Sequence, residues 1–266
     1  MKEWSRKLMS YGLVLCLCLL SEHLNGKEAP FISGEKIVYK IFYNWNFVWL
    51  SAGEVSFEVK DEGSMYHIEV TGRTYSSYEW FYKVRDKFHS YIDKVSLKPV
   101  YYIRDIEEGS YQHYEKIVFD YASKQIHSHV GKSMNTTVLS IIPMQDDVYD
   151  LISTMYYLRS IDGAQMMNKK NVPFKMILDN EIYDLNIKYE NQSNLDVKES
   201  GSYRVLNYIV DVITGNVFRN NTSLKINVAD DKNNLPLVIE SPLSVGSVKA
   251  ILKFSDKLKH PFSSKL

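Results

Sequence analysis

From Glu35 onward apolar and polar side chains alternate with a period of two, and a chain that keeps this rhythm for most of its length is committed to strands. Ile37, Tyr39, Ile41 and Tyr43 share one face with Lys36 and Lys40 opposite, and Val55, Phe57 and Val59 alternate with Glu54, Ser56, Glu58 and Lys60. The pattern recurs over residues 66–74, 85–92, 100–106, 111–120 and 125–130. Clusters such as Asp61-Glu62-Gly63-Ser64 and Glu107-Glu108-Gly109-Ser110 supply turns between them. Strands in series with short links argue for an antiparallel meander.

One run, 147–161, departs from the rhythm. Val148, Leu151, Ile152, Met155, Tyr156 and Leu158 recur at helical spacing, Asp146 and Asp147 supply negative charge at the start, Arg159 sits in the last turn, and Gly163 is placed to end the helix. Alternation then resumes in 176–178, 182–189, 203–212, 224–228, 237–240 and 247–253. A single helix is too little to cover so much half-buried sheet, so the sheet must curl onto itself. The expected fold is all-β and mainly antiparallel, with roughly a dozen strands in a curved or partly closed β-barrel-like sheet carrying one inserted α-helix. Two strand-rich halves, about 35–130 and 172–254, would join through that helix. Ile37, Ile41, Val55, Phe57, Val59, Ile68, Val70, Phe88, Ile117, Phe119, Leu151, Met155, Ile187, Val210, Val238 and Val248 should face the interior, and the polar tail 255–266 should fray.

Ahead of this unit stands an N-terminal stretch with Lys2, Arg6 and Lys7, an apolar run over 12–20, and polar residues to Gly26. This is the layout of a secretory signal peptide. The run is well short of the ~20 residues a permanent membrane helix needs. The reading is therefore a signal peptide over 1–26 and a single β-rich domain over 27–266, exported to the periplasm or envelope with no transmembrane segment in the mature chain. Cys16 and Cys18 are preceded by Leu15 and Leu17, too bulky for a lipoprotein cleavage site, so a soluble rather than lipidated product is expected. Both cysteines leave with the signal, and stability must come from packing.

Equal numbers of Lys+Arg and Asp+Glu, 32 of each, leave no basic footprint for nucleic acid. No phosphate loop, dinucleotide fingerprint or nucleophile elbow occurs, so no cofactor is expected. His127 and His129 fall on one face of a strand, within reach of His113 on its neighbour, but nothing else supports a metal and none is assigned. Asp150, one turn inside the expected helix, would need a donor such as Arg85 or Arg104 if it faced the sheet, and the pair Arg85 and Asp150 is read as structural. Aromatic groups offer the better candidates. Trp45, Trp49, Tyr78, Trp80, Phe81 and Tyr82 crowd expected strand ends, where rings often line a barrel mouth or a partner patch.

Several segments together resemble an exported bacterial family known as domain of unknown function 3108. They are Gly34-Glu35, Ala52-Gly53, Arg85-Asp86-Lys87-Phe88 with Tyr91-Ile92-Asp93, Pro99, Phe119-Asp120, Tyr149-Asp150-Leu151-Ile152-Ser153 with Tyr157-Leu158-Arg159, Asp231-Lys232-Asn233-Asn234-Leu235-Pro236 and Val245-Gly246-Ser247-Val248-Lys249-Ala250. The resemblance implies an exported β-rich domain with a curved or barrel-like sheet, and it transfers no catalytic residue. The functional expectation is a non-enzymatic envelope protein holding a lipid or other apolar ligand along the curved sheet. The alternatives are an envelope scaffold that binds another envelope protein without a ligand cavity, and an uncharacterised hydrolase seeded by Asp150, Arg85, Asp86 and the three histidines.

Overall fold

The computed structural model describes residues 28–45, 48–80, 82–198, 200–211, 223–243 and 246–266. The expected signal peptide lies outside them. Among the described residues fifteen strands form one sheet. The first eight are β1 (Lys36–Trp45), β2 (Val48–Glu62), β3 (Met65–Thr74), β4 (Arg85–Asp93), β5 (Pro99–Glu108), β6 (Tyr111–Asp120), β7 (Gln125–Gly131) and β8 (Val138–Pro143). After them come β9 (Val148–Tyr149), β10 (Asn171–Leu178), β11 (Glu181–Val197), β12 (Gly201–Asp211), β13 (Ser223–Ala229), β14 (Pro236–Pro242) and β15 (Ser247–Asp256). The spatial order runs β8 to β1, then β15 back to β9, so that the first and last strands pair at the centre. All neighbours are antiparallel except β9 and β10.

Chain connectivity dictates the curl. Fifteen strands at a spacing of ~4.8 Å would make a flat sheet about 67 Å wide. Yet its two edges, β8 and β9, are separated in sequence only by residues 144–147. Such a link reaches no further than about 20 Å. The edges are therefore brought near one another without hydrogen bonding, which gives an open, barrel-like sheet. Local chemistry helps it bend. At Gly53 an added Cβ would lie 2.2 Å from the Arg73 carbonyl oxygen of β3, and the β1–β2 register slips beside it, between Ile41 and Phe42. This is a β-bulge that only glycine tolerates.

The run expected to be one helix is divided. Val148 and Tyr149 pair with β10, and α1 (Leu151–Arg159) begins only after Asp150, which is its N-cap and not an interior residue. Gly163 opens a second helix, α2 (Gly163–Lys169), because Asp162 caps it by accepting from the Ala164 and Gln165 amides at 2.8 and 3.2 Å. The tail does not fray. Leu266 N donates to Ser202 O, Arg204 N to Ser264 O, and Ser264 Oγ to Asp231, which fastens it along β12.

Both ends of α1 are anchored. At its start the Asp150 carboxylate accepts from Ile152 N (2.8 Å), Ser153 N (2.9 Å) and Ser90 Oγ of β4 (2.9 Å), while Ser153 Oγ accepts in return from Asp150 N. This closes a capping box against the sheet. At its end Arg159, almost wholly buried, donates from Nη1 and Nη2 to the two oxygens of buried Glu35 at 2.7 and 2.9 Å, and from Nε to Asn233 O at 3.2 Å. Asn234 Nδ2 donates to the carbonyls of Arg159 and Ile161, and Asn233 exchanges two hydrogen bonds with His260. Gly34, at φ +91°, makes the turn that delivers Glu35 to the interior.

A buried charge without its partner is strongly destabilising, whereas replacing both partners by apolar groups is far better tolerated. Arg159→Met and Glu35→Leu should each lower unfolding free energy by about 3–5 kcal/mol. The double variant should recover a large part of that loss. Urea unfolding of the four proteins checks this, and additive losses in the double variant would contradict it.

Candidate functional site

Between α1 and the concave face of the sheet lies a cavity of about 580 Å³. Its floor comes from both arms of the sheet: Val55, Phe57, Val70 and Phe88 of β2–β4 on one side, and Phe174, Leu185, Ile187, Val210, Leu224 and Ile226 of β10–β13 on the other. Its roof is Leu151, Ile152, Met155 and Leu158 of α1, with Ile161 and Met166 beyond. This explains why Val55, Phe57, Phe88 and Met155, expected to be core, are only half-buried, and why Leu151 remains 39% exposed. They face inward, but onto a space no other side chain fills. The volume falls within the ~300–1,000 Å³ typical of small-molecule sites.

Asp86 and Arg104 line one end of the cavity, and Thr154, Arg159, Asp211 and Asn234 are its other polar lining residues. Burial, reinforced by the neighbouring Glu108 carboxylate, pushes the Asp86 pKa up to about 7. Arg104 reaches across from β5 to Asp179 in the β10–β11 turn, approaches His113 Nε2 at 2.7 Å, and lies with Nε 3.6 Å from Glu115. Glu115 is fully buried, and neither of its oxygens finds a well-formed hydrogen bond. Burial raises its pKa to about 7 against the pull of Arg104. The Tyr102 hydroxyl, also buried without a partner, sits in the same field, and its pKa is raised well above the usual value by burial and by Asp150. A mostly apolar chamber thus ends in a charged, incompletely satisfied cluster.

A larger depression of about 830 Å³ lies on the outer face of β15 and β1–β4, lined by Lys36, Glu54, Arg73, Arg85, Lys87 and Lys253. Its charges are largely paired, Glu54 with Lys253 and Arg73, and Arg85 with Glu79, so it reads as a solvated ion-pair surface.

The residues singled out from sequence are dispersed. Asp150 is buried as expected of a structural group, but its donors are Ser90 and the helix amides, not Arg85 or Arg104, because it stands at the cap where free N–H groups are available. Burial outweighs those bonds and lifts its pKa to about 6. Arg85 is half-exposed beside Glu79 on the outer face. Trp49 is 39% exposed with Lys249 Nζ over its ring at 4.6 Å, and Trp80 and Tyr82 are 83% and 46% exposed. Trp49, Tyr78, Trp80 and Tyr82 are all absent from the cavity lining. The Trp45 side chain and Phe81 lie outside the described residues. His113 faces inward with Glu115, while His127 and His129 occupy the outer face of β7, so the three histidines do not converge. Sequence reasoning missed Arg104, Glu115 and Asp179 as a group because they come from β5, β6 and the β10–β11 turn, and only the curl unites them.

An open, barrel-like antiparallel sheet closed over an apolar chamber by an anchored helix defines the class of protein. The chain belongs to the family described as protein of unknown function (DUF3108), whose model matches residues 38–253. Among solved structures it is similar to a beta-barrel-like protein of domain of unknown function DUF1849 from Brucella abortus, at 7% identity, over 86% of this chain and all of that one, with a TM-score of 0.56. That likeness concerns the fold alone. No curated protein matches the chain.

Glu115 gives the cluster a pH signature. Its folded pKa of about 7 lies above the ordinary 4.5, so between these values the folded chain binds more protons than the unfolded one. Stability from this group is full below about pH 4.5 and falls as pH rises to about 7. Glu115→Gln should therefore gain on the wild type from about pH 5 to pH 8, by on the order of 3 kcal/mol. Paired urea unfolding at the two pH values measures it, and parallel pH profiles would contradict it.

Proposed function

We propose that this chain is an exported, non-enzymatic envelope protein that holds an amphipathic ligand such as a lipid in the chamber beneath α1, with the apolar part among the side chains of β10–β13 and α1 and the polar part at Asp86 and Arg104. The observation that carries this reading is the chamber itself: most of its lining is aliphatic or aromatic, with the pair Asp86 and Arg104 at one end and Thr154, Arg159, Asp211 and Asn234 as the other polar side chains. Export rests on the layout of residues 1–26. Among the described residues no helix is long and apolar enough to cross a membrane. The residues that would have seeded a hydrolase sit on both faces of the sheet, and among them only Asp86 lines the chamber.

A second reading, a partner-binding module, draws on the exposed edge strand β8, where Val138, Leu139 and Ile141 are 71%, 49% and 56% exposed. An unpaired edge with apolar side chains is a template for strand addition. It does not depend on the tryptophans first singled out.

One experiment separates the two. Solvent extraction of the purified mature protein followed by mass spectrometry should release a defined amphiphile, and a fluorescent fatty acid should bind the extracted protein. Leu158→Trp and Ile226→Trp, which fill the chamber, should weaken that binding at least about tenfold at little loss of stability, whereas Leu139→Lys on β8 should leave it unchanged. Binding indifferent to both tryptophans would remove the chamber as the site.

A further inference from the structure

We propose that His67, Glu69 and His89 form a binding site for a divalent transition-metal ion of the Zn²⁺ class on the outer face of β3 and β4. His67 and Glu69 are two apart on β3, and Glu69 stands directly opposite His89 on β4, so the register places all three on one face. That face is the outer one, since Ile68, between His67 and Glu69, and Val70, just after them, are buried in the interior. His67 Nε2 lies 2.9 Å from His89 Nδ1, and His89 Nδ1 lies 4.0 Å from Glu69 Oε2. One ligand atom from each residue fits within 4.8 Å of the others. With Zn–N and Zn–O bonds of ~2.0–2.2 Å, tetrahedral ligand atoms sit about 3.4 Å apart, a value the two distances bracket.

The second observation is the state of His67. It is 7% exposed, its ring is stacked on Tyr91 at 4.2 Å and 4°, and its Nδ1 is buried without a hydrogen-bond partner. That nitrogen faces Glu62 Oε1 at 3.6 Å. A metal on Nε2 requires the proton on Nδ1, and there a small adjustment lets it donate to Glu62. This is the carboxylate–histidine–metal arrangement that fixes tautomer and ring orientation. The side chains of Glu69 and His89 are 31% and 27% exposed, which leaves an entry route and room for a water ligand. Two imidazoles and one carboxylate with an open position suit zinc and similar borderline cations, not Mg²⁺ or Ca²⁺.

Lys60 Nζ now holds Glu69 Oε2 at 2.9 Å and is 40% exposed, so the ammonium competes for the same oxygen and can swing into solvent. A comparable group inside the sheet, His113, Glu115 and Asp179, carries no such proposal, because the Arg104 guanidinium already stands among its members as the cation.

The test uses the tag-free mature chain, stripped with chelator and titrated with Zn²⁺ by calorimetry and with Co²⁺ by its visible absorption. One ion per chain is expected. His89→Ala and Glu69→Gln should weaken binding at least about tenfold, and Glu62→Gln about tenfold. His129→Ala on β7 should change nothing. Lys60→Met should tighten binding, a gain that misfolding cannot mimic and that decides the matter if a ligand variant fails to fold. Absence of bound Zn²⁺ and Co²⁺ in the wild type, or affinity unmoved by His89→Ala, Glu69→Gln and Lys60→Met, would overturn the proposal.

Discussion

The paired contact of Arg159 with Glu35 holds the rest of the structure in place. Two opposite charges withdrawn completely from water are tolerable only when their donors and acceptors are met, and here the guanidinium spends Nη1 and Nη2 on Glu35 and Nε on the Asn233 carbonyl. The Phe31 and Tyr156 rings pack against the same guanidinium at 5.8 and 5.1 Å. Because Glu35 immediately precedes β1, Asn233 belongs to the β13–β14 loop and Arg159 ends α1, this cluster fixes the helix against the centre of the sheet. The Asp150 cap on Ser90 does the same at the other end, on β4.

A nine-residue helix pinned at its two ends cannot sink into the space between them. It spans about 13 Å, while the curled sheet is far wider. The chamber is thus a geometric consequence of anchoring a short rod across a broad trough, and its apolar lining follows from the alternation that turns every second side chain inward. The same curl brings Asp179 of the β10–β11 turn onto Arg104 of β5, which closes one end with charge.

Much of this fold was legible in the sequence. Alternation marks the strands, and the shortage of helix implies curvature. The division of the helix was not legible, because Gly163 reads equally as a stop signal and as the first residue after the Asp162 cap. The tail looks free by composition and is held by backbone bonds to β12 that composition does not record. The chamber hid for a deeper reason. Periodicity shows that Val55, Phe57, Phe88, Leu151 and Met155 face inward, but not whether anything occupies the space before them. The aromatic groups, read as a barrel mouth or a partner patch, stay outside the chamber lining, with Trp49, Trp80 and Tyr82 exposed, because ring density does not tell which rings a curled sheet encloses. His67, Glu69 and His89 need the β3–β4 register to become neighbours, as Glu35 and Arg159 need the whole fold. Each of these last two carried only a generic signal, a residue at a strand start and a cation in a last turn.

The most direct test is a crystal structure of the protein purified from its own cells without lipid extraction. The account predicts continuous elongated electron density between α1 and β11–β13, touching Met155, Leu158 and Ile226, with its polar end at Arg104 and Asp86. A chamber closed by contact of α1 with the sheet, holding no density, would contradict it.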